Sequence, residues 1–83
     1  MPTIAIIGAG TGLGLAIARV FGAKGFDVAL ISRTSAKLDA LVDQLAAEGI
    51  TAAGFPADVL DRPGLRSALA AVKERFGTID VLE

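Results

Sequence analysis

Residues 8–14 read GAGTGLG: glycine stands at every second position, with only alanine, threonine and leucine between. Glycine loses more backbone freedom on folding than any other residue. Four within seven positions therefore mark a place that needs unusual dihedrals or an open approach to the main chain. Ahead of this stretch, Thr3 to Ile7 is a β-rich, mostly apolar run ending at glycine, as in a strand covered on both faces. Behind it, Leu13, Ile17, Val20 and Phe21 recur at helical spacing and predict one buried stripe. Arg19 and Lys24 lie off that stripe, and Gly25 makes a stop. The glycines thus join a strand to a helix. There, main-chain N–H groups and the positive end of the helix dipole converge on one small volume and favour an anion, which side chains would otherwise keep at a distance.

The same alternation continues along the chain. Phe26 to Ser32 is a second apolar run, and Thr34 or Ser35 can cap a second helix. Its inward face is Leu38, Leu41, Val42 and Leu45, and Gly49 ends it. Ile50 to Phe55 reads as a third strand. Asp61 ahead of Pro63 opens a third helix with Leu65, Leu69, Val72 and Phe76 inward and Gly77 as its stop. Ile79 to Leu82 begins a fourth strand. Strand alternating with helix three times predicts the α/β class: a Rossmann-type doubly wound parallel sheet, β-α-β-α-β-α-β, in the order 3-2-1-4. The first two helices would cover one face and the third the other, so that Gly8 to Gly14 sits at the switch point where such sheets bind ligands.

Composition removes several functions. With 83 residues the chain holds one small domain at most. Its apolar fraction of 53% and charged fraction of 20% suit strands buried on both faces. A net charge of -1, with the basic residues scattered from Arg19 onward, gives no footprint for nucleic acid or an anionic membrane. Cysteine and histidine are absent, which excludes disulfides, thiolate and imidazole chemistry and nearly every zinc site. The uncharged run before Arg19 lacks the basic start of a signal peptide. It is also too short and too glycine-broken for a spanning helix, which needs about 20 apolar residues. A cytoplasmic protein is expected.

Spacing narrows the anion. A P-loop needs a lysine that Leu13, Gly14 and Leu15 do not supply, and GxGxxG fails because its third glycine would fall on Leu13. GxxxGxG fits through Gly8, Gly12 and Gly14, and a purely structural glycine turn is the alternative that spacing leaves open.

Several segments together carry a resemblance. GAGTGLG is similar to the cofactor loop of the short-chain dehydrogenase/reductase family. ISRTSAKLDAL resembles its second strand and following helix, PADVLD its adenine-contacting turn, and FGTIDVLE the start of its fourth strand. One departure is Ile7, where the family usually has Thr or Ser, which suggests a divergent branch. The resemblance implies that Gly8, Gly10, Thr11, Gly12, Leu13 and Gly14 surround the pyrophosphate of a nicotinamide dinucleotide. It also implies that Asp58 accepts a hydrogen bond from the adenine amino group near the Val59 amide, with Pro56, Ala57 and Val59 as apolar wall. A turn or capping role is the other reading of Asp58. In dinucleotide folds an acid at the end of strand 2 selects NAD and an arginine accommodates the 2′-phosphate of NADP. Ser32 and Arg33 occupy that place, so NADP is expected over NAD.

The family's hydride transfer uses Tyr, Lys and Ser residues farther along, together with an Asn-Ala-Gly segment after strand 4. This sequence has no tyrosine and reaches Glu83 within strand 4. Residues 1–83 are therefore expected to be the N-terminal part of a single NAD(P)-binding domain, truncated in strand 4 and inactive alone. The parent would be an NADP-dependent oxidoreductase acting on a carbonyl or alcohol substrate. An open strand-4 edge and a sheet face carrying only helix 3 would leave the chain weakly folded or prone to pair with another copy, so a homo-oligomer is an expected state. Two alternatives stand beside this reading. A non-catalytic dinucleotide module such as a redox sensor conflicts with nothing in the sequence. An S-adenosylmethionine-dependent methyltransferase lacks its usual acids, because Ile6 and Arg33 stand in their places.

Overall fold

Every second residue of a strand faces the same side of its sheet, and here both sides are apolar. The computed structural model describes residues 2–8 and 12–83. Within them the elements are β1 (Thr3–Ile7), α1 (Gly12–Ala23), β2 (Asp27–Ser32), α2 (Ser35–Ala47), β3 (Ala52–Pro56), α3 (Arg62–Phe76) and β4 (Val81–Leu82). The strands form one parallel sheet in the expected order β3-β2-β1-β4. Thr3 pairs with Asp27 and Ile7 with Ile31, while Val28 pairs with Ala52 and Ser32 with Pro56. Parallel register brings the C-terminal ends of β1, β2 and β3 to one edge, beneath Gly8.

The two sheet faces carry separate cores. Ile4, Ile6, Val28 and Leu30 pack with Ala18 of α1 and with Leu38 and Leu45 of α2. Ala5, Ala29 and Ile31 pack with Val72 of α3, joined by Leu65, Leu69 and Phe76. Two helices lie on one face and the third on the other, as the alternation predicts.

The buried stripe of α1 is not the predicted one. Leu13 and Val20 are 72% and 53% exposed, whereas Gly14 and Ala18 are buried. The line Gly14, Ala18, Gly22 runs at i, i+4, i+8 and carries the smallest side chains of the helix, which lets the backbone approach its neighbours closely. A Cβ added at Gly22 would come within 2.6 Å of an Ile50 side-chain carbon, which measures how tight that approach is. Ile17 and Phe21 still pack beside the line.

Helix ends follow local chemistry. At α1 the Phe26 N–H donates to the Phe21 carbonyl and the Gly25 N–H to that of Gly22; Gly25 has φ +90° and the two rings meet edge to face at 5.0 Å. This is a Schellman closure with its hydrophobic contact. It recurs at α2, where the Ile50 N–H donates to the Leu45 carbonyl around Gly49. Ile50 therefore belongs to the helix stop, and β3 begins later than predicted, at Ala52. Asp61 caps α3 by accepting the Gly64 N–H at 3.3 Å, and Gly77 closes that helix in the left-handed region. At α2 the cap position falls to Thr34, whose side chain makes no cap hydrogen bond.

β4 is held chiefly through its ends. The Asp80 N–H donates to the Thr3 carbonyl, and the Asp80 carboxylate accepts the Thr3 N–H, both at 2.8 Å. Under α3, Ala5, Ala29 and Ile31 are fully buried, while Ile7, Ala53 and Phe55 on the same sheet face are half-buried. Among the described residues, the exposed large apolar side chains lie on α1 (Leu13, Val20), on β4 (Leu82), and at Val59 and Leu60 between β3 and α3. No described helix is long and apolar enough to cross a membrane.

Candidate functional site

Gly8 leaves β1 with φ +80°, a conformation that side chains disfavour, and its N–H donates to the Ile31 carbonyl at 2.8 Å. That amide is therefore committed to the sheet. A Cβ built at Gly8 or at Gly12 would meet nothing within 4 Å, which leaves open space beside the first residue of α1. Gly14 is buried on the inner side of that helix turn. Gly10 and Thr11 lie outside the described residues.

A cavity of about 360 Å³ opens beside Gly8, lined by Ser32, Arg33, Ala57, Asp58, Val59 and Leu60. Each arrives from a strand end. Ser32 closes β2, and the Ala57 N–H donates to its carbonyl at 2.9 Å, carrying the β2–β3 pairing up to the lip. Arg33 follows in exposed position and makes no ion pair among the described residues. The turn after β3 is built by Asp58, whose Oδ1 accepts the Leu60 N–H at 2.9 Å while its carbonyl accepts the Asp61 N–H at 3.0 Å. Such Asx turns hold the chain locally and employ one carboxylate oxygen. No described residue donates to Oδ2, so one carboxylate can shape the turn and still offer an acceptor.

A second cavity, about 190 Å³, shares Gly8 and is lined by Ile6, Ile7, Leu13, Gly14, Ile17 and Glu83. The residues singled out from sequence therefore divide. Gly8, Ser32, Arg33, Asp58 and Val59 come together at the first cavity, and Gly8, Leu13 and Gly14 at the second. Pro56 lines neither: it pairs with Ser32 as the last residue of β3 and is exposed, one position short of the wall. Leu60 lines the first cavity and was not anticipated; its signal is a leucine lodged between a turn aspartate and a capping aspartate.

Ile7, which stands where the family usually has Thr or Ser, faces inward. Its N–H donates to the Glu83 carbonyl at 2.9 Å, and its side chain packs against the core under α3. Outside both cavities, the Arg19 guanidinium grips Glu48 through two 2.9 Å hydrogen bonds. These hold the Glu48 carboxyl below its ordinary value, with charge attraction adding to them and desolvation opposing.

The family model for short chain dehydrogenases matches residues 2–83. The chain is 38% identical over 77 residues to the 2,3-dihydro-2,3-dihydroxybenzoate dehydrogenase of Bacillus subtilis, covering 93% of this chain and 30% of that protein. It is 35% identical over 77 residues to the D-threitol dehydrogenase of Mycolicibacterium smegmatis, with the same two coverages. Among solved structures, a variant of actinorhodin polyketide ketoreductase with NADPH superposes with a TM-score of 0.90 at 36% identity, over 98% of this chain and 31% of that one. The alcohol dehydrogenase of the archaeon Thermococcus sibiricus, complexed with 5-hydroxy-NADP, gives 0.87 at 32% identity, over 99% and 36%. The 83 residues thus span about a third of these relatives.

Proposed function

The chain belongs to the short-chain dehydrogenase family, and from that premise we propose that residues 1–83 are the N-terminal, NADP(H)-binding part of an oxidoreductase domain acting on a carbonyl or alcohol group. The observation that carries this reading is the cavity where Arg33, a cation with no ion pair among the described residues, and a carboxylate oxygen, Asp58 Oδ2, stand on neighbouring strand ends beside the open backbone at Gly8. Those donor and acceptor types fit the adenosine half of NADP. NADPH- and NADP-bound ketoreductase and dehydrogenase structures among the relatives support the same cofactor.

In this reading the Arg33 guanidinium holds the 2′-phosphate, with the Ser32 hydroxyl beside it. Asp58 accepts from the adenine amino group and the Val59 N–H donates to the ring, while Ala57 and the Val59 side chain exclude water from its faces. Gly8, Gly10, Thr11, Gly12, Leu13 and Gly14 surround the pyrophosphate at the start of α1, where the dipole favours negative charge. The bound nicotinamide supplies or receives the hydride. Residues 1–83 bind and orient. None of them is assigned a proton transfer to substrate oxygen.

Fluorescence titration of the polypeptide that carries these residues, with NADPH and with NADH, tests the reading. NADPH is expected to bind tighter by about ten-fold or more, the worth of one charge-assisted contact. Failure to bind either dinucleotide rejects the proposal, and tighter binding of NADH rejects the role of Arg33.

A further inference from the structure

Leu60 is 86% exposed, more than any other large apolar residue described, yet it lines the cavity that holds Arg33 and Asp58. Within these 83 residues its side chain is therefore hardly covered by the fold. Its backbone is nevertheless fixed. The Leu60 N–H donates to Asp58 Oδ1 at 2.9 Å, and the Asp61 N–H closes the same turn onto the Asp58 carbonyl at 3.0 Å. Asp61 then anchors the turn to the first turn of α3 through the Gly64 N–H. Two oxygens of one residue thus hold an apolar side chain in water at the rim of a cavity whose acceptor, Asp58 Oδ2, lies on the same turn.

We propose that Leu60 is an apolar cover for the purine base: a base hydrogen-bonded to Asp58 slides beneath it, and binding removes from water the side chain that folding left exposed. The inference rests on the NADP(H) reading above and adds a residue to it. The Asx turn is the positioning device, because the carboxylate that recognises the edge of the base also sets the residue that covers its face. An occupant that is flat, apolar on its faces and a donor at its edge satisfies both groups at once, which describes adenine. A ribose phosphate alone would leave Leu60 in water.

The test is NADPH titration of the full polypeptide in three forms: wild type, Leu60→Ser and Leu60→Phe. Covering about half of a leucine side chain corresponds to roughly a five- to ten-fold change in affinity. Leu60→Ser is therefore expected to raise the Kd for NADPH by about that factor, and Leu60→Phe to hold it within about two-fold of wild type. Melting temperatures of the free proteins check that each variant folds as wild type does. A Leu60→Ser protein that binds NADPH as wild type does overturns the inference and leaves the cofactor reading intact. Equal weakening by Ser and Phe also overturns it, because apolar cover would then not be what the position supplies. Wild type failing to bind NADPH overturns the cofactor reading itself, and with it the role of Leu60.

Discussion

Gly22→Ala is the substitution whose outcome the packing fixes most sharply. By helix propensity alone alanine would stabilise α1 by about 0.8–1.0 kcal/mol. The added Cβ, however, would lie 2.6, 2.7 and 2.8 Å from Cγ2, Cδ1 and Cγ1 of Ile50. Moving Cδ1 alone is easy, but relieving Cγ2 and Cγ1 requires a new χ1 in a β-branched residue, which has few alternatives. Ile50 is only 8% exposed and is tied by its N–H to Leu45, so it has little room to retreat. Overpacking of this kind costs roughly 1–3 kcal/mol. Net destabilisation of about 1 kcal/mol follows, a fall in melting temperature of about 4–8 °C for a chain of this size. In an Ile50→Ala background the obstructing carbons are gone, and the same Gly22→Ala change should become stabilising by about its propensity increment. Circular dichroism melts of the four proteins, run in sucrose to keep the weakest folded, measure both steps. The reasoning fails if Gly22→Ala has the same sign in both backgrounds.

At the cofactor rim, Arg33→Asp should lower the NADPH-to-NADH affinity ratio about ten- to a hundred-fold, read by paired titrations; an unchanged ratio removes Arg33 from cofactor choice. For the Arg19–Glu48 pair the prediction concerns pH. The hydrogen bonds from Arg19 hold the Glu48 carboxyl below its ordinary 4.5 in the folded chain, so the stabilisation is present above that value and is lost as pH falls through the lower, folded one. Glu48→Gln should therefore melt slightly below wild type at neutral pH and converge with it in acid. A difference that persists unchanged in acid would show that charge on Glu48 is not its source.

Local chemistry along the chain sets the order of elements and the stops at Gly25, Gly49 and Gly77, and the strand–helix alternation points to the parallel order 3-2-1-4 through its right-handed crossovers, so all of these were legible before any packing was known. A run of apolar residues ending at glycine, or an aspartate two positions before a proline, constrains its own backbone wherever it is placed. The membership of the first cavity was also legible, for Ser32 and Arg33 from their place at the end of the second strand and for Asp58 and Val59 from the family resemblance of PADVLD; parallel register then brings the ends of β2 and β3 to one edge. Packing in three dimensions, by contrast, settles which side of each element meets a neighbour. Leu13 and Val20 share helical spacing with Ile17 and Phe21, yet they are exposed because α1 is seated along its glycine and alanine line, and that line is chosen by Ile50 and the sheet beneath. Likewise the double use of Asp58 and the place of Leu60 at the rim depend on how the turn after β3 closes onto α3, a packing event that spacing along one chain does not encode.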